Sequence, residues 1–405
     1  MRIDSCRVCG SDQLELINDF GEQPWCNDFR SSIISDKEKY PLRTYFCKEC
    51  TVFQIDENVD PGVMYSDHTY RSACNEPMIK HFYKIAEKAT KLVDKNGLVL
   101  DIGSNDGTLL SQYKKLNWNV LGVEPSKNTA IAANKNNIET INDFFEINLS
   151  NKIKKKYKKD FKIISAANVL YHIEGIHEVL DGVSNLLSID GIFVVQASYL
   201  PSLIEKNEFD IIYHEHLLYY RMETLNKLLN MHNLEVFDCT YSDVHGGSII
   251  AFACHCGSRR IEKSVTDAIK FERENRYHEI GTYKDFSKRV INIQKALVEL
   301  IRDLLGKGNT ICAYGAPAKG TVLINSLGLT SREISFAVEV NNEKVGKYIP
   351  GTDIPVVFES NELDEPDYYL LLSWNFLPHF KKSKEFLTGK RKFIVPFPAP
   401  RVVKI

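Results

Sequence analysis

The chain has 405 residues, 43% of them hydrophobic, and a formal net charge of −2. That length exceeds one ordinary domain and calls for two or three modules with sizeable cores. Acids and bases are mixed along the chain, which leaves no electrostatic footprint for nucleic acid or an acidic membrane, and no run reaches the roughly 20 apolar residues needed to span a bilayer.

The opening residues, Met1-Arg2-Ile3-Asp4-Ser5-Cys6, lack the apolar core of a signal peptide, so a cytoplasmic location is expected. Ten cysteines in such a chain read as metal ligands plus buried thiols. Four of them form two C-x-x-C pairs, Cys6/Cys9 and Cys47/Cys50. Four thiolates suit a closed, tetrahedral, structural zinc site, whose binding energy is folding energy. The competing reading is a pair of redox or unpaired dithiols. Residues 1–60 hold these pairs in a core too small to stand without a staple, and the polar, aromatic stretch 61–75 completes the zinc-binding module 1–75. A helical pattern follows from about Glu76 to Lys95.

Residues 98–255 alternate apolar runs with helical patterns, which argues for a parallel sheet covered by helices on both faces. Candidate strands are 98–102, 118–123, 162–167, 191–196, 234–239 and 247–254, the last as an antiparallel edge strand. The first strand runs into Gly103-Ser104-Asn105-Asp106-Gly107, where glycines admit a ligand close to the backbone and a helix start offers free N–H groups. The loop does not fit the dinucleotide G-x-G-x-x-G pattern. Asp101 at the strand end suits a methyltransferase, where it faces the amino-acid part of S-adenosylmethionine. Glu124 ends the next strand and can accept both ribose hydroxyls, and Asp143-Phe144 can border the adenine. Asp101, Gly103, Asn105, Asp106, Gly107, Glu124, Asp143, Phe144 and, beyond a later strand, Asn168 are the candidate cofactor residues, with NAD the main competitor and an ordinary β–α turn the bland alternative.

Two later segments concentrate polar chemistry beyond the strand ends: Asn168 with His172, and Tyr213-His214-Glu215-His216. Histidine is a suitable base near neutral pH, and a neighbouring Glu can orient it. The H-E-H spacing lacks the i, i+4 geometry of H-E-x-x-H metal sites, and a polar loop with backbone-bonded histidines is the plain alternative. Residues 260–307 read as a long charged helical connector. A second, smaller α/β alternation follows, with strands near 309–315, 334–338 and 367–372. Lys319 follows the first of these and starts a helix where a diphosphate could sit; a structural turn is the alternative.

Taken together, the cysteine pairs, Ile102-Gly103-Ser104-Asn105-Asp106-Gly107, Asn168…His172, Ile212-Tyr213-His214-Glu215-His216, His245-Gly246-Gly247-Ser248 and Ala313-Tyr314-Gly315-Ala316-Pro317-Ala318-Lys319-Gly320 resemble the sugar C-methyltransferases. Gln23-Pro24-Trp25-Cys26-Asn27, Pro350-Gly351-Thr352-Asp353-Ile354-Pro355 and Trp374-Asn375 extend the likeness over nearly the whole chain. The resemblance implies an α/β protein of three parts: a small zinc-binding module (1–75), a central class I S-adenosylmethionine methyltransferase Rossmann-like domain (76–258), and a second Rossmann-like domain (259–405) that binds the nucleotide sugar. It implies methylation at C3 of a nucleotide-linked 4-keto-6-deoxy sugar through an enolate. His216 would be the base or its close partner, with Tyr213 and Glu215 beside it; Asn168, His172 and Tyr70 would line the cavity, and His245, Lys319 and Tyr314 would hold the substrate. His68 and Gln196 depart from the family's usual Tyr and Glu, which puts sugar specificity and the exact base in question. A monomer without nucleic-acid or membrane partners is expected. O-methylation of a nucleotide sugar is the alternative reaction, and a zinc-containing scaffold or nucleic-acid-binding protein the alternative class.

Overall fold

A computed structural model describes residues 2–33, 39–60, 64, 76–95, 97–360, 365–382 and 391–405. The module begins with β1 (Leu14–Pro24), β2 (Lys39–Cys47) and β3 (Phe53–Ile55), paired antiparallel in that order. In β2 the residues Leu42, Thr44 and Phe46 are buried while Pro41, Arg43 and Tyr45 between them are half-buried, the period of two that a one-sided strand requires.

The central sheet is built from β4 (Leu98–Ile102), β5 (Asn119–Val123), β6 (Thr140–Ile141), β7 (Phe161–Ala167) and β8 (Leu187–Ser198). After β9 (Leu218–Tyr219), which lies elsewhere, β10 (Leu234–Ser242) and β11 (Ser248–His255) complete it in the order β6-β5-β4-β7-β8-β11-β10. The first five strands run parallel. All five residues of β4 are buried, as helices on both faces demand. Strand order reverses between β4 and β7, so the crevice for a ligand opens beyond their carboxyl ends.

The sequence predicts an antiparallel edge strand at 247–254. The run at 247–254 is antiparallel, but it is not an edge: β11 inserts between β8 and β10. Every residue of β11 is buried, whereas β10 carries the half-exposed Tyr241 at its outer end, so the more apolar arm of the hairpin takes the interior place. Strand β9 leaves the central region altogether and pairs with β3, completing the module's sheet.

The stretch 260–307 is two helices, Lys263–Glu274 and Ile280–Gly306, broken where Arg276 adopts a left-handed φ of 58°. Glu272 of the first is fully buried and accepts bonds from the Tyr199 hydroxyl at 2.9 Å and the Glu223 backbone N–H at 3.0 Å, which fastens that helix to the central sheet. The second buries Tyr283, Phe286, Val290, Ile293, Leu297, Ile301 and Leu304, a stripe at helical spacing. That stripe packs into a core shared by Phe46 and Phe53 of the module and by the carboxyl-terminal sheet.

The last sheet contains β12 (Ile311–Tyr314), β13 (Ala337–Glu339), β14 (Val356–Phe358), β15 (Tyr368–Leu371), β16 (Lys392–Val395) and β17 (Arg401–Lys404), ordered β14-β13-β12-β15-β16-β17. All pairings are parallel except that of β17. Among the described residues no helix is long and apolar enough to cross a membrane.

Candidate active site and zinc centre

The four cysteine sulfurs of the module lie within 4.8 Å of one another, with Cys6–Cys50 at 3.5 Å and Cys9–Cys47 at 3.6 Å. Tetrahedral zinc with Zn–S bonds of about 2.3 Å requires sulfurs about 3.8 Å apart. The donor set therefore fits a closed structural zinc site with no position for a reactive water. Two like turns shape it: Gly10 N–H donates to the Cys6 carbonyl and Thr51 N–H to the Cys47 carbonyl, each at 2.9 Å.

At the carboxyl end of β4 the chain turns through Gly103 at φ +64°, where a Cβ would approach a Val169 methyl to 2.6 Å. Gly107, at φ +78°, starts the helix Thr108–Lys115. Glu124, just past β5, pins the loop: its two oxygens accept the N–H groups of Asn105 and Ser126, both at 2.8 Å. A carboxylate at this strand end is the kind of acceptor a ribose diol needs. Asp106 is engaged with the helix start instead, accepting the Thr108 N–H at 3.2 Å. Asp101 is fully buried; burial raises its pKa, the nearby Glu124 charge adds to this, and a 2.6 Å bond from the Ser165 hydroxyl opposes it, leaving the carboxyl at about 7. A cationic amino group is the partner such a carboxyl lacks. Asn168, at φ 59° beyond β7, donates its N–H to the Gln196 carbonyl at 2.9 Å, and its side-chain oxygen is buried without a partner. Asp143 and Phe144 are exposed. The Gly103–Gly107 turn, Glu124 and Asp101 fit S-adenosylmethionine.

The histidine–tyrosine cluster forms from two segments. The His216 ring stands 3.9 Å from that of Tyr213, 4.6 Å from Tyr171 and 5.0 Å from His172. His216 Nδ1 lies 2.7 Å from the Ile211 carbonyl and His172 Nδ1 2.5 Å from the Glu215 carbonyl. A carbonyl only accepts, so Nδ1 carries the proton in both neutral rings and Nε2 the basic lone pair. Burial pushes the Tyr213 phenol well above its ordinary pKa, so it stays a donor.

Glu215 does not orient His216 through its side chain. Its Oε1 accepts the Trp25 indole N–H at 3.1 Å and the Asn27 amide at 2.6 Å, with the Cys26 thiol at 3.7 Å. The Ile211 carbonyl takes the orienting role, and Glu215 ties the Trp25–Asn27 segment of the module to the cluster. The Cys26 carbonyl in turn accepts the Thr321 hydroxyl at 3.0 Å, which brings in the carboxyl-terminal part.

Lys319 starts the helix Ala318–Ser326 but is already engaged. Its ammonium donates to Asn375 at 2.7 Å and stands 3.6 Å above the Trp374 ring. Burial lowers its pKa to about 8 against the attraction of Asp210 and Glu208. A diphosphate at Lys319 would meet those two carboxylates. The Tyr314 hydroxyl bonds Glu359 at 2.8 Å on the carboxyl-terminal sheet. His245 lies on the turn Val244–Gly246. Tyr70 and His68 lie outside the described residues. Trp25 and Asn27, though legible within a motif, gave no sign of converging on Glu215, and nothing local marked Glu208, Asp210 or His81.

Three family models match the chain: "Putative zinc binding domain" over residues 6–65, "Methyltransferase domain" over 78–238, and "C-methyltransferase C-terminal domain" over 243–398. The C-methyltransferase NovU of Streptomyces niveus is 34% identical over 412 aligned positions, covering 99% of this chain and 97% of NovU. Among solved structures, an S-adenosylmethionine-dependent methyltransferase from Clostridium acetobutylicum is similar at 14% identity and a TM-score of 0.34, covering 44% of this chain and 92% of its own. The magnesium protoporphyrin IX methyltransferase of Synechocystis is similar at 12% identity and a TM-score of 0.34, covering 47% and 87%.

Proposed function

This chain belongs to the C-methyltransferase family, and from that premise we propose that it methylates C3 of a nucleotide-linked 4-keto-6-deoxy sugar through an enolate, with His216 as the base. The enzyme is S-adenosylmethionine-dependent and carries a structural zinc. Methyl transfer to carbon needs a nucleophilic carbon, and a sugar C–H yields one to a histidine only beside a carbonyl. The observation that carries the proposal is the His216 environment. Its Nδ1–H is held at 2.7 Å by the Ile211 carbonyl, which fixes the tautomer with Nε2 as the basic nitrogen, and the rings of Tyr213, Tyr171 and His172 pack around it.

S-adenosylmethionine, when bound, supplies an electrophilic methyl group on a sulfonium. The chain's own residues do the rest. His216 Nε2 takes the C3 proton. Charge developing on O4 is met by donors, of which the Tyr213 phenol is the strongest candidate because burial keeps it protonated. His172, with its proton fixed on Nδ1, and Asn168 line the same edge of the sheet. Asp101 and Glu124 hold the two polar ends of the cofactor. Glu215 closes the pocket by drawing in Trp25 and Asn27, which limits water.

O-methylation would need a base but no ketone. The two reactions separate in one experiment: incubation with S-adenosylmethionine and a nucleotide-linked 4-keto-6-deoxyhexose, then mass spectrometry and proton NMR of the product. A methyl group on C3 is expected. A methyl on oxygen, or none on any keto sugar while the cofactor binds, would remove the proposal.

A further inference from the structure

Gln196 is the last buried residue but one of a strand, and half of its amide is unused. It pairs in register with Ala167, next to Asn168, at the carboxyl edge of the sheet beside the reversal in strand order. Its side chain is 1% exposed. Oε1 lies 3.0 Å from His81 Nε2, while Nε2 of the amide is buried with no partner. Asn168, one residue past Ala167 and bonded through its N–H to the Gln196 carbonyl, has a side-chain oxygen that is buried and equally unpartnered. One strand end thus presents a donor and its neighbour an acceptor. Leaving two such groups unmatched in a protein interior is costly.

The direction of the amide follows from what stands behind it. His81 Nδ1 lies 3.4 Å from the Ser242 hydroxyl, and that hydroxyl oxygen already accepts the Val244 N–H at 3.3 Å. The serine proton is then available to point at His81 Nδ1. Burial holds His81 neutral by lowering its pKa, so its single proton sits on Nε2 and faces Gln196 Oε1. The relay Ser242 → His81 → Gln196 is fully consistent in this sense and leaves the amide nitrogen as the group without a partner. The reverse sense would leave the serine hydroxyl proton unused.

We propose that Gln196 is a specificity-determining residue of the acceptor pocket: its amide N–H and Asn168 Oδ1 together bind one hydroxyl of the sugar, the C2 hydroxyl, with His81 as the positioning residue that fixes the amide. A hydroxyl is the group that donates and accepts at once, and C2 carries the hydroxyl adjacent to the carbon that reacts. This rests on the keto-sugar reading given above.

The test uses the full-length enzyme and two probes, a nucleotide-linked 4-keto-6-deoxyhexose and its 2-deoxy counterpart. The wild type is expected to favour the hydroxylated sugar about tenfold in kcat/KM, the worth of one neutral hydrogen-bonding site. Gln196→Met should lose that preference and turn over both sugars alike, with S-adenosylmethionine affinity unchanged by titration calorimetry. His81→Phe should weaken the preference through KM more than through kcat. Q196M retaining the preference would overturn the inference, as would a wild type with none. Equal loss of cofactor affinity in Q196M would assign the pair to the cofactor instead and overturn it too. No turnover of either sugar by the wild type would remove the keto-sugar reading itself, and this inference with it.

Discussion

Replacing Asp101 by Asn should stabilise the protein at pH 8 while weakening its hold on S-adenosylmethionine. The carboxyl is fully buried at the end of β4, and burial raises its pKa from 3.8 to about 7. An unfolded aspartate ionises near 3.9, so between about pH 4 and pH 7 the native protein retains a proton that the unfolded chain has released. The stability associated with this group is therefore full below pH 4, declines across that window and levels off above it. At about 1.4 kcal/mol per tenfold change in proton affinity, the decline amounts to roughly 4 kcal/mol. An asparagine keeps an acceptor for the Ser165 hydroxyl and carries no charge, so D101N should lose this decline. At roughly 2–4 °C per kcal/mol for a unit the size of the central region, it should melt on the order of 10 °C above the wild type at pH 8. On the proposed cofactor role of Asp101, the same substitution removes the charged partner of the amino group, a loss of about 1.5–3 kcal/mol, or roughly ten- to a hundredfold in affinity. Scanning calorimetry from pH 5 to pH 8, with titration calorimetry of the cofactor at pH 8, measures both. A variant whose melting temperature still falls with pH as the wild type's does, or that binds the cofactor as tightly, would refute the reasoning.

Zinc removal by a chelator, or Cys47→Ser, should lower the melting temperature and abolish turnover, with one zinc per chain found by elemental analysis of the untreated protein; full activity in the zinc-free enzyme would contradict a structural metal. Glu215→Leu strands the Trp25 and Asn27 donors at about 1–3 kcal/mol each, so it should cost roughly 2–5 kcal/mol of stability and shift the tryptophan emission, while Glu215→Gln retains an acceptor and should cost far less. Lys319→Met removes the cation beside Asp210 and the weaker of two beside Glu208, where Lys206 remains. Asp210, raised to about 6, and Glu208, raised to about 8, ionise as pH climbs, so the variant should lose more melting temperature at pH 8 than at pH 5. A raised acceptor KM with unchanged melting at both pH values would instead make Lys319 a diphosphate ligand.

The features legible in the sequence were those whose signal is local. Two C-x-x-C pairs give a metal site because four thiolates have few other uses, and Leu98–Ile102 gives a buried strand because five apolar or strand-end residues precede a glycine turn. Strand β6 is expected ahead of Asp143, but at two residues it has no apolar run from which to read its bounds. The insertion of β11 was hidden because hairpin register and sheet order depend on partners far along the chain. The break at 275–279 carries neither proline nor glycine, so helical spacing ran through it. Within the site, residue types were legible and directions were not. Tyr213, Glu215 and His216 are near neighbours in sequence, yet the Glu215 carboxylate faces the module while His216 turns to the Ile211 carbonyl. The relay from Ser242 through His81 to Gln196 joins positions 161 residues apart and has no sequence signature.

The central claim is that His216 removes the C3 proton of a keto sugar. Proton NMR in heavy water, with S-adenosylhomocysteine in place of the methyl donor, isolates that step from methyl transfer. The wild-type enzyme should exchange the C3 proton of a nucleotide-linked 4-keto-6-deoxyhexose for deuterium, and His216→Gln should bind S-adenosylhomocysteine normally yet exchange at least a hundredfold more slowly, the low end for losing a general base. Exchange at the wild-type rate in that variant would take the base role from His216.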